Sequence, residues 1–125
     1  MEQKLLTPLE LKVMNVLWEL ERGFVKDIIA HWPETPPPAY NTISTIVRIL
    51  ADKKGYVGHE AVGRSHAYFP IVSKPAYQKQ LLRNVRDNVF SGSLTGMVSQ
   101  LLSDEYISSE EIDALRNLID EGSSE

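Results

Sequence analysis

Apolar residues recur along the first fifty positions at intervals of three and four, the period of a helix with one buried face. Leu9, Val13, Val16, Leu17 and Leu20 form one such stripe. Thr7-Pro8-Leu9-Glu10 supplies an N-cap hydroxyl, a proline at the first helical position and a reciprocal glutamate, so a helix should start there, and Gly23 should stop it. From Phe24 to Trp32 a shorter stretch sets Val25, Ile28 and Ile29 against Lys26 and Asp27, until Pro33-Glu34-Thr35-Pro36-Pro37-Pro38 breaks the pattern. A third stripe, Ile43, Ile46, Val47 and Leu50, leaves Asn41, Thr42, Ser44, Thr45 and Arg48 on the remaining faces and closes at Gly55.

Beyond Gly55 the period shortens to two. Tyr56–Glu60 and Ser65–Phe69 predict a hairpin that turns near Val62-Gly63-Arg64 and ends at Pro70. A two-residue loop at Val62-Gly63 would set His59 directly opposite His66. Helical spacing returns over 74–90 through Tyr77, Leu81, Val85 and Val89, and Ser91-Gly92-Ser93 interrupts it. Leu94, Met97, Val98 and Leu101 make a shorter stripe, and Ser108-Ser109-Glu110-Glu111 is a second capping box ahead of Ile112, Leu115 and Ile119. The expected fold is mainly α with a small β-hairpin. A winged helix-turn-helix occupies 1–72, and three helices occupy 73–125. Those three bury too little apolar surface alone for comfortable stability, so they are expected to pack against a second copy and form a homodimer.

Composition narrows the chemistry. The chain has 125 residues and no cysteine, which removes disulfides, thiolate metal sites and cysteine nucleophiles together. Its longest apolar runs are a few residues, and no apolar block follows Met1-Glu2-Gln3-Lys4, so membrane insertion and export are not expected and a cytoplasmic location is. The net charge of −4 argues against a generic polybasic binder of nucleic acid, but it is unevenly spread. Residues 1–72 carry eight basic and eight acidic side chains, and 73–125 carry five and nine. Basic residues outnumber acidic ones from Arg48 to Arg86, whereas Arg116 is the only cation from Asp104 onward. An anionic partner should meet the middle of the chain.

The third helix has the composition of a DNA-reading helix: apolar where it packs, short donors and acceptors where it would enter a major groove. Thr42, Ser44, Thr45 and Arg48 are the first candidates for base or phosphate contact. Asn41, Lys53, Lys54, Arg64 and His66 are candidates for the backbone. Lys79, Arg83 and Arg86 share one face of the 74–90 helix, suited to phosphates, to solvent or to the acidic tail of a partner copy. His59 and His66 could supply half a metal site, short of the three or four protein ligands zinc requires, so no metal or cofactor is expected. No arrangement of nucleophile, base and orienter appears, and no pair of carboxylates, so an enzyme is not expected. The rival is a winged-helix adaptor whose third helix binds protein instead of DNA.

Leu9-x-x-x-Val13-Met14-x-x-Leu17-Trp18, Asn41-Thr42-Ile43-Ser44-Thr45 through Arg48-x-Leu50, Lys53-Lys54-Gly55-Tyr56-Val57, and Tyr68 at the wing resemble the BlaI/MecI/CopY family of bacterial repressors. The resemblance covers nearly the whole chain, and Ser109-Glu110-Glu111-Ile112-Asp113-Ala114-Leu115 resembles the family's dimerisation end. It implies a homodimer on a palindromic operator. In the penicillinase branch it also implies induction by a membrane-bound zinc-metalloprotease sensor, followed by cleavage of the repressor. The copper-responsive branch depends on a cysteine-rich motif that this chain lacks. The position equivalent to the family's Asn-Phe cleavage point is Gln100-Leu101, and Ala39-Tyr40 stands where the family often has a Ser-Pro cap.

Overall fold

The computed structural model describes residues 4–123; the charged start Met1-Glu2-Gln3 lies outside the described residues. Its elements run α1 (Pro8–Leu20), α2 (Val25–Ala30), α3 (Tyr40–Asp52), β1 (Val57–Val62), β2 (Ser65–Pro70), α4 (Lys74–Asn88), α5 (Leu94–Leu102) and α6 (Ser109–Ser123). Helix is the dominant structure, and the two strands form one antiparallel hairpin, as in a winged helix-turn-helix followed by a helical C-terminal region.

The capping box expected at α1 is formed. The Thr7 N–H donates to Glu10 Oε1 at 2.8 Å and the Glu10 N–H donates to Thr7 Oγ1 at 3.3 Å, satisfying two donors that a helix start leaves open. The end of α1 departs from the expectation. The helix stops at Leu20, and Glu21, with φ of 68°, takes the left-handed position that Gly23 was expected to provide. Gly23 instead pairs with Tyr68 through two backbone hydrogen bonds of 2.9 and 2.8 Å. A Cβ at Gly23 would stand 3.3 Å from both Asp27 Cβ and Leu20 Cδ1, so glycine is the residue that lets this close approach occur without strain.

The hairpin register also corrects the sequence reading. Ala61 stands opposite His66, and His59 stands opposite Tyr68, because Gly63-Arg64 rather than Val62-Gly63 makes the loop. A two-residue hairpin turn needs a positive φ at its first central position. Gly63 adopts 62° there, a conformation that the β-branched Val62 would resist.

Helices α1–α3 and the hairpin enclose one core. Val13, Met14, Leu17, Ile28, Ile43, Val47, Leu50, Tyr56 and Val57 are all 2% exposed or less. Each fully buried side chain of this size contributes roughly 1.5–3 kcal/mol. α4 joins this core at its start. Tyr77 is buried, its ring lies 6.1 Å from Trp18 and 5.8 Å from Tyr56, and its hydroxyl accepts the Leu6 N–H at 3.2 Å. The Trp18 indole N–H donates to the Val72 carbonyl at 2.9 Å. The first compact unit extends through Leu81, and a second unit begins at Leu82.

In the second unit, Ser91 and Gly92 take φ of 51° and 84° between α4 and α5. Ser93 caps α5 by accepting the Gly96 N–H at 2.9 Å. Ser108 and Glu111 form the second capping box through bonds of 3.1 and 3.2 Å. No described side chain from Leu82 to Gly122 is fully buried, and Leu94, Leu101, Leu118 and Ile119 are exposed. Among the described residues, no helix is long and apolar enough to cross a membrane.

Candidate nucleic-acid interface

α3 separates its two kinds of side chain cleanly. Ile43, Val47 and Leu50 are buried, Asn41, Thr42, Thr45 and Arg48 are exposed, and Ser44 is half-buried. The polar face is held by the helix itself. Thr45 Oγ1 donates to the Asn41 carbonyl at 2.9 Å, which leaves its oxygen lone pairs and its methyl group available. Arg48 reaches back with Nε to the Ser44 carbonyl and Nη2 to Ser44 Oγ, both at 3.3 Å. A shallow hollow of about 220 Å³ runs along this side of the helix, lined by Thr45, Arg48, Ile49, Asp52 and the exposed Lys53. Ala39, at the N-cap, has no side-chain acceptor for the first turn.

The hairpin lies beside α3, and a groove of about 590 Å³ opens among α2, α3 and the wing. α2 contributes Lys26, α3 contributes Tyr40, Ser44 and Arg48, and the wing contributes Arg64, His66 and Tyr68. No carboxylate lines it among the described residues. Burial raises the Tyr68 hydroxyl above the usual phenol range; Asp52 and Tyr40 push the same way against the opposing pull of Arg48. It remains a neutral donor at physiological pH. The two wing histidines still meet, although diagonally: their rings stand 5.0 Å apart at 90°, with Tyr68 6.0 Å from His59 and 6.5 Å from His66.

Ser44, Arg48, Arg64 and His66 thus converge on the groove, while Thr45 and Lys53 line the hollow beside it and Asn41 and Thr42 stand exposed at the start of α3. Lys54 is placed elsewhere. Its ammonium lies 2.6 Å from Glu10 Oε1 and 3.0 Å from the Leu5 carbonyl, with side-chain exposures of 14% for Lys54 and 5% for Glu10. Burial alone would raise the Glu10 carboxyl, but the hydrogen bonds from Lys54 and the Thr7 N–H, together with the Lys54 charge, hold it below its ordinary value. Tyr56 donates its hydroxyl to the Lys4 carbonyl at 2.5 Å, and burial is the main reason its pKa is pushed up to about 12. Lys54, Tyr56 and Tyr77 together hold three consecutive residues of the N-terminal segment. Arg86, on α4, is engaged by its neighbour Asp87 at 2.8 Å.

Lys26, Tyr40 and Tyr68 belong to the groove but were not among the candidates read from sequence. Lys26 looked like an ordinary polar position on a short amphipathic helix. What brings it to the wing is the Gly23–Tyr68 pairing, for which the sequence offers only a glycine in the wrong role.

Residues 6–121 match the family model described as penicillinase repressor. The chain is 29% identical over 112 residues to the penicillinase repressor of Bacillus licheniformis, covering 90% of this chain and 87% of that one. It is 24% identical over 110 residues to the methicillin resistance regulatory protein MecI of Staphylococcus aureus (strain N315), covering 88% and 89% respectively. The MecI protein of Mammaliicoccus sciuri gives the same identity and coverage.

Proposed function

Because the chain belongs to the penicillinase repressor family, we propose that this transcriptional repressor acts as a homodimer on a palindromic operator, with one α3 in each of two successive major grooves. The carrying observation is the outward polar face of α3, Asn41, Thr42, Ser44, Thr45 and Arg48, set directly beside a groove that has cations and no carboxylate among its described lining residues. Thr42, Ser44, Thr45 and Arg48 read bases or adjacent phosphates. Asn41, Lys53, Arg64 and His66 hold the backbone. Lys54 is left out of this set, because its ammonium is already bound to Glu10 and Leu5.

The first unit is assigned the reading of DNA and the second the pairing of copies. Leu94, Leu101, Leu118 and Ile119 support the second assignment, since a helical unit in which no described side chain is buried and several large apolar ones are exposed gains most of its stability from a partner. The paired units then set the separation of the two α3 helices near one helical turn of DNA, about 34–36 Å. Relatives named penicillinase repressor and methicillin resistance regulatory protein support a β-lactam-responsive role. The release we assign to it, on the family resemblance alone, is cleavage near Gln100-Leu101 by a membrane-bound sensor protease. Both residues of that bond are exposed on α5.

The test is a titration of the purified protein against a duplex of its own upstream promoter region and a scrambled duplex, at two salt concentrations. Tighter binding to the promoter at both salts, with affinity falling steeply as salt rises, is the expected result. Equal, weak binding to both duplexes would transfer the polar face of α3 to a protein partner.

A further inference from the structure

Two of the chain's three histidines meet on one face of the hairpin. Ala61 stands opposite His66 and His59 opposite Tyr68, so His59 and Ala61 share a face and His66 is the diagonal neighbour of His59 across the ladder. Both side chains are exposed, and the buried Tyr68 ring lies beneath the pair, 6.0 Å from His59 and 6.5 Å from His66. Among the described residues neither imidazole makes a hydrogen bond within the protein. The third histidine, His31, stands alone on α2's C-terminal side and donates from Nδ1 to the Asp27 carbonyl at 2.9 Å.

The spacing of the wing pair is that of two ligands on one ion. With a metal–nitrogen bond of about 2.1 Å and about 1.1 Å from nitrogen to ring centre, imidazoles held at about 90–110° on one ion have centroids about 4.5–5.2 Å apart. His59 and His66 stand 5.0 Å apart. An edge-to-face contact of two aromatic rings gives the same spacing. What favours a ligand is that each neutral imidazole keeps a nitrogen lone pair to which no protein donor is directed.

The surroundings decide the kind of ion. No third histidine or carboxylate completes a cluster with the pair among the described residues. Glu60, next to His59, projects from the other face of β1 and pairs with Arg22 at 3.3 Å. Water must therefore fill the remaining positions, which excludes the closed four-ligand site of a structural zinc ion. His66 also shares its groove with Lys26, Arg48 and Arg64, whose charges oppose that of an ion and keep it exchangeable. Two nitrogens with water suit a late first-row divalent metal, and the order of affinities at such a site places Cu(II) above Ni(II) and Zn(II).

We propose that His59 and His66 form a two-nitrogen site on the wing for an exchangeable divalent transition-metal ion, Cu(II) foremost. The bound ion ties β1 to β2 through their side chains. The expectation of no metal followed from the ligand count of zinc, and it does not extend to copper. The site stands whether or not α3 reads DNA.

The test titrates Cu(II) into the full chain, prepared without a histidine tag, and follows it by calorimetry and electron paramagnetic resonance. His59→Gln and His66→Gln should each weaken copper binding about a hundredfold, because the second imidazole acts at the effective concentration set by the first. His31→Gln should leave it unchanged. The equimolar copper complex should show two imidazole nitrogens in the wild type and one in each wing variant. Thermal melts without metal check that these exposed substitutions leave the fold intact, and the variant with both wing histidines replaced measures copper held elsewhere on the chain. Equal affinity in the wild type and that double variant, or a wild-type spectrum with fewer than two imidazole nitrogens, would overturn the site.

Discussion

At Thr45 the hydroxyl hydrogen is committed to the Asn41 carbonyl, so a base could meet only a lone pair or the methyl group. Thr45→Ala removes both and should cost roughly 1–3 kcal/mol at a single base pair of the operator. Thr45→Val keeps the methyl and separates the two: retained affinity identifies a thymine methyl as the contact, and an equal loss identifies the lone pair. Anisotropy on operators changed one pair at a time reads the difference. Lys53 and Lys54 make the opposite point. Neighbours in sequence and identical in chemistry, they part because Lys53 is exposed beside the α3 hollow and Lys54 is turned onto Glu10. Lys54→Met leaves a buried carboxylate without its partner and should destabilise the fold by about 3 kcal/mol in urea, with no change in the salt dependence of DNA binding. The Glu10 carboxyl lies below its unfolded value, so its stabilisation is complete above the unfolded carboxylate range and disappears as pH falls through the lower folded pKa. Urea midpoints taken below about pH 4.5 should fall less steeply in Glu10→Gln than in the wild type.

Among the elements, α4 is the one whose allegiance changes along its length. Its first two turns carry Tyr77 and Gln80 into the core of the first unit, and the helix ends in the second. A chain cut after Val72 loses the ring packed against Trp18 and Tyr56 together with the bond to Leu6. A chain cut after Leu81 keeps them. The longer fragment should unfold in one cooperative transition near the stability of the first unit in the full chain, and the shorter at markedly lower urea. The helical stripes, the two capping boxes and the change to a period of two were legible in sequence, because each is a local pattern in which neighbouring positions fix one another. The packing of the start of α4 on the first unit was not, because Tyr77 decides it largely through Trp18 and Leu6, each more than fifty positions away in a chain of 125. The hairpin existed in the pattern but its register did not. Val62-Gly63 and Gly63-Arg64 both contain the needed glycine, and only the backbone shows which position takes the positive φ. For the same reason four groove residues, Ser44, Arg48, Arg64 and His66, were found by chemistry alone, while Lys26 and Tyr68 required the pairing at Gly23.

For the whole molecule, the contrast between a unit with a closed core and a unit with no buried side chain among its described residues is the main organising fact. Exposed apolar side chains such as Leu118 at 65% and Ile119 at 57% are expected to be covered by a second copy. Leu118→Glu combined with Ile119→Glu should shift the sedimentation coefficient from dimer to monomer and reduce affinity for the full operator to that for a half-site. The melt of the first unit should be unchanged. Sedimentation of an unaltered dimer would place the pairing surface elsewhere.

The N-terminal segment also sets an order of events during synthesis. Lys4, Leu5 and Leu6 present consecutive backbone groups to Tyr56, Lys54 and Tyr77, and the last of these bonds spans 71 positions. A growing chain can assemble α1 to α3 and the wing as they emerge and tie Lys4 and Leu5 to Tyr56 and Lys54, but the bond to Leu6 waits until the first turns of α4 have left the ribosome. The core of the first unit is thus begun early and closed late. It is sealed only once Tyr77 has emerged, when the rest of α4 and the second unit follow directly behind it.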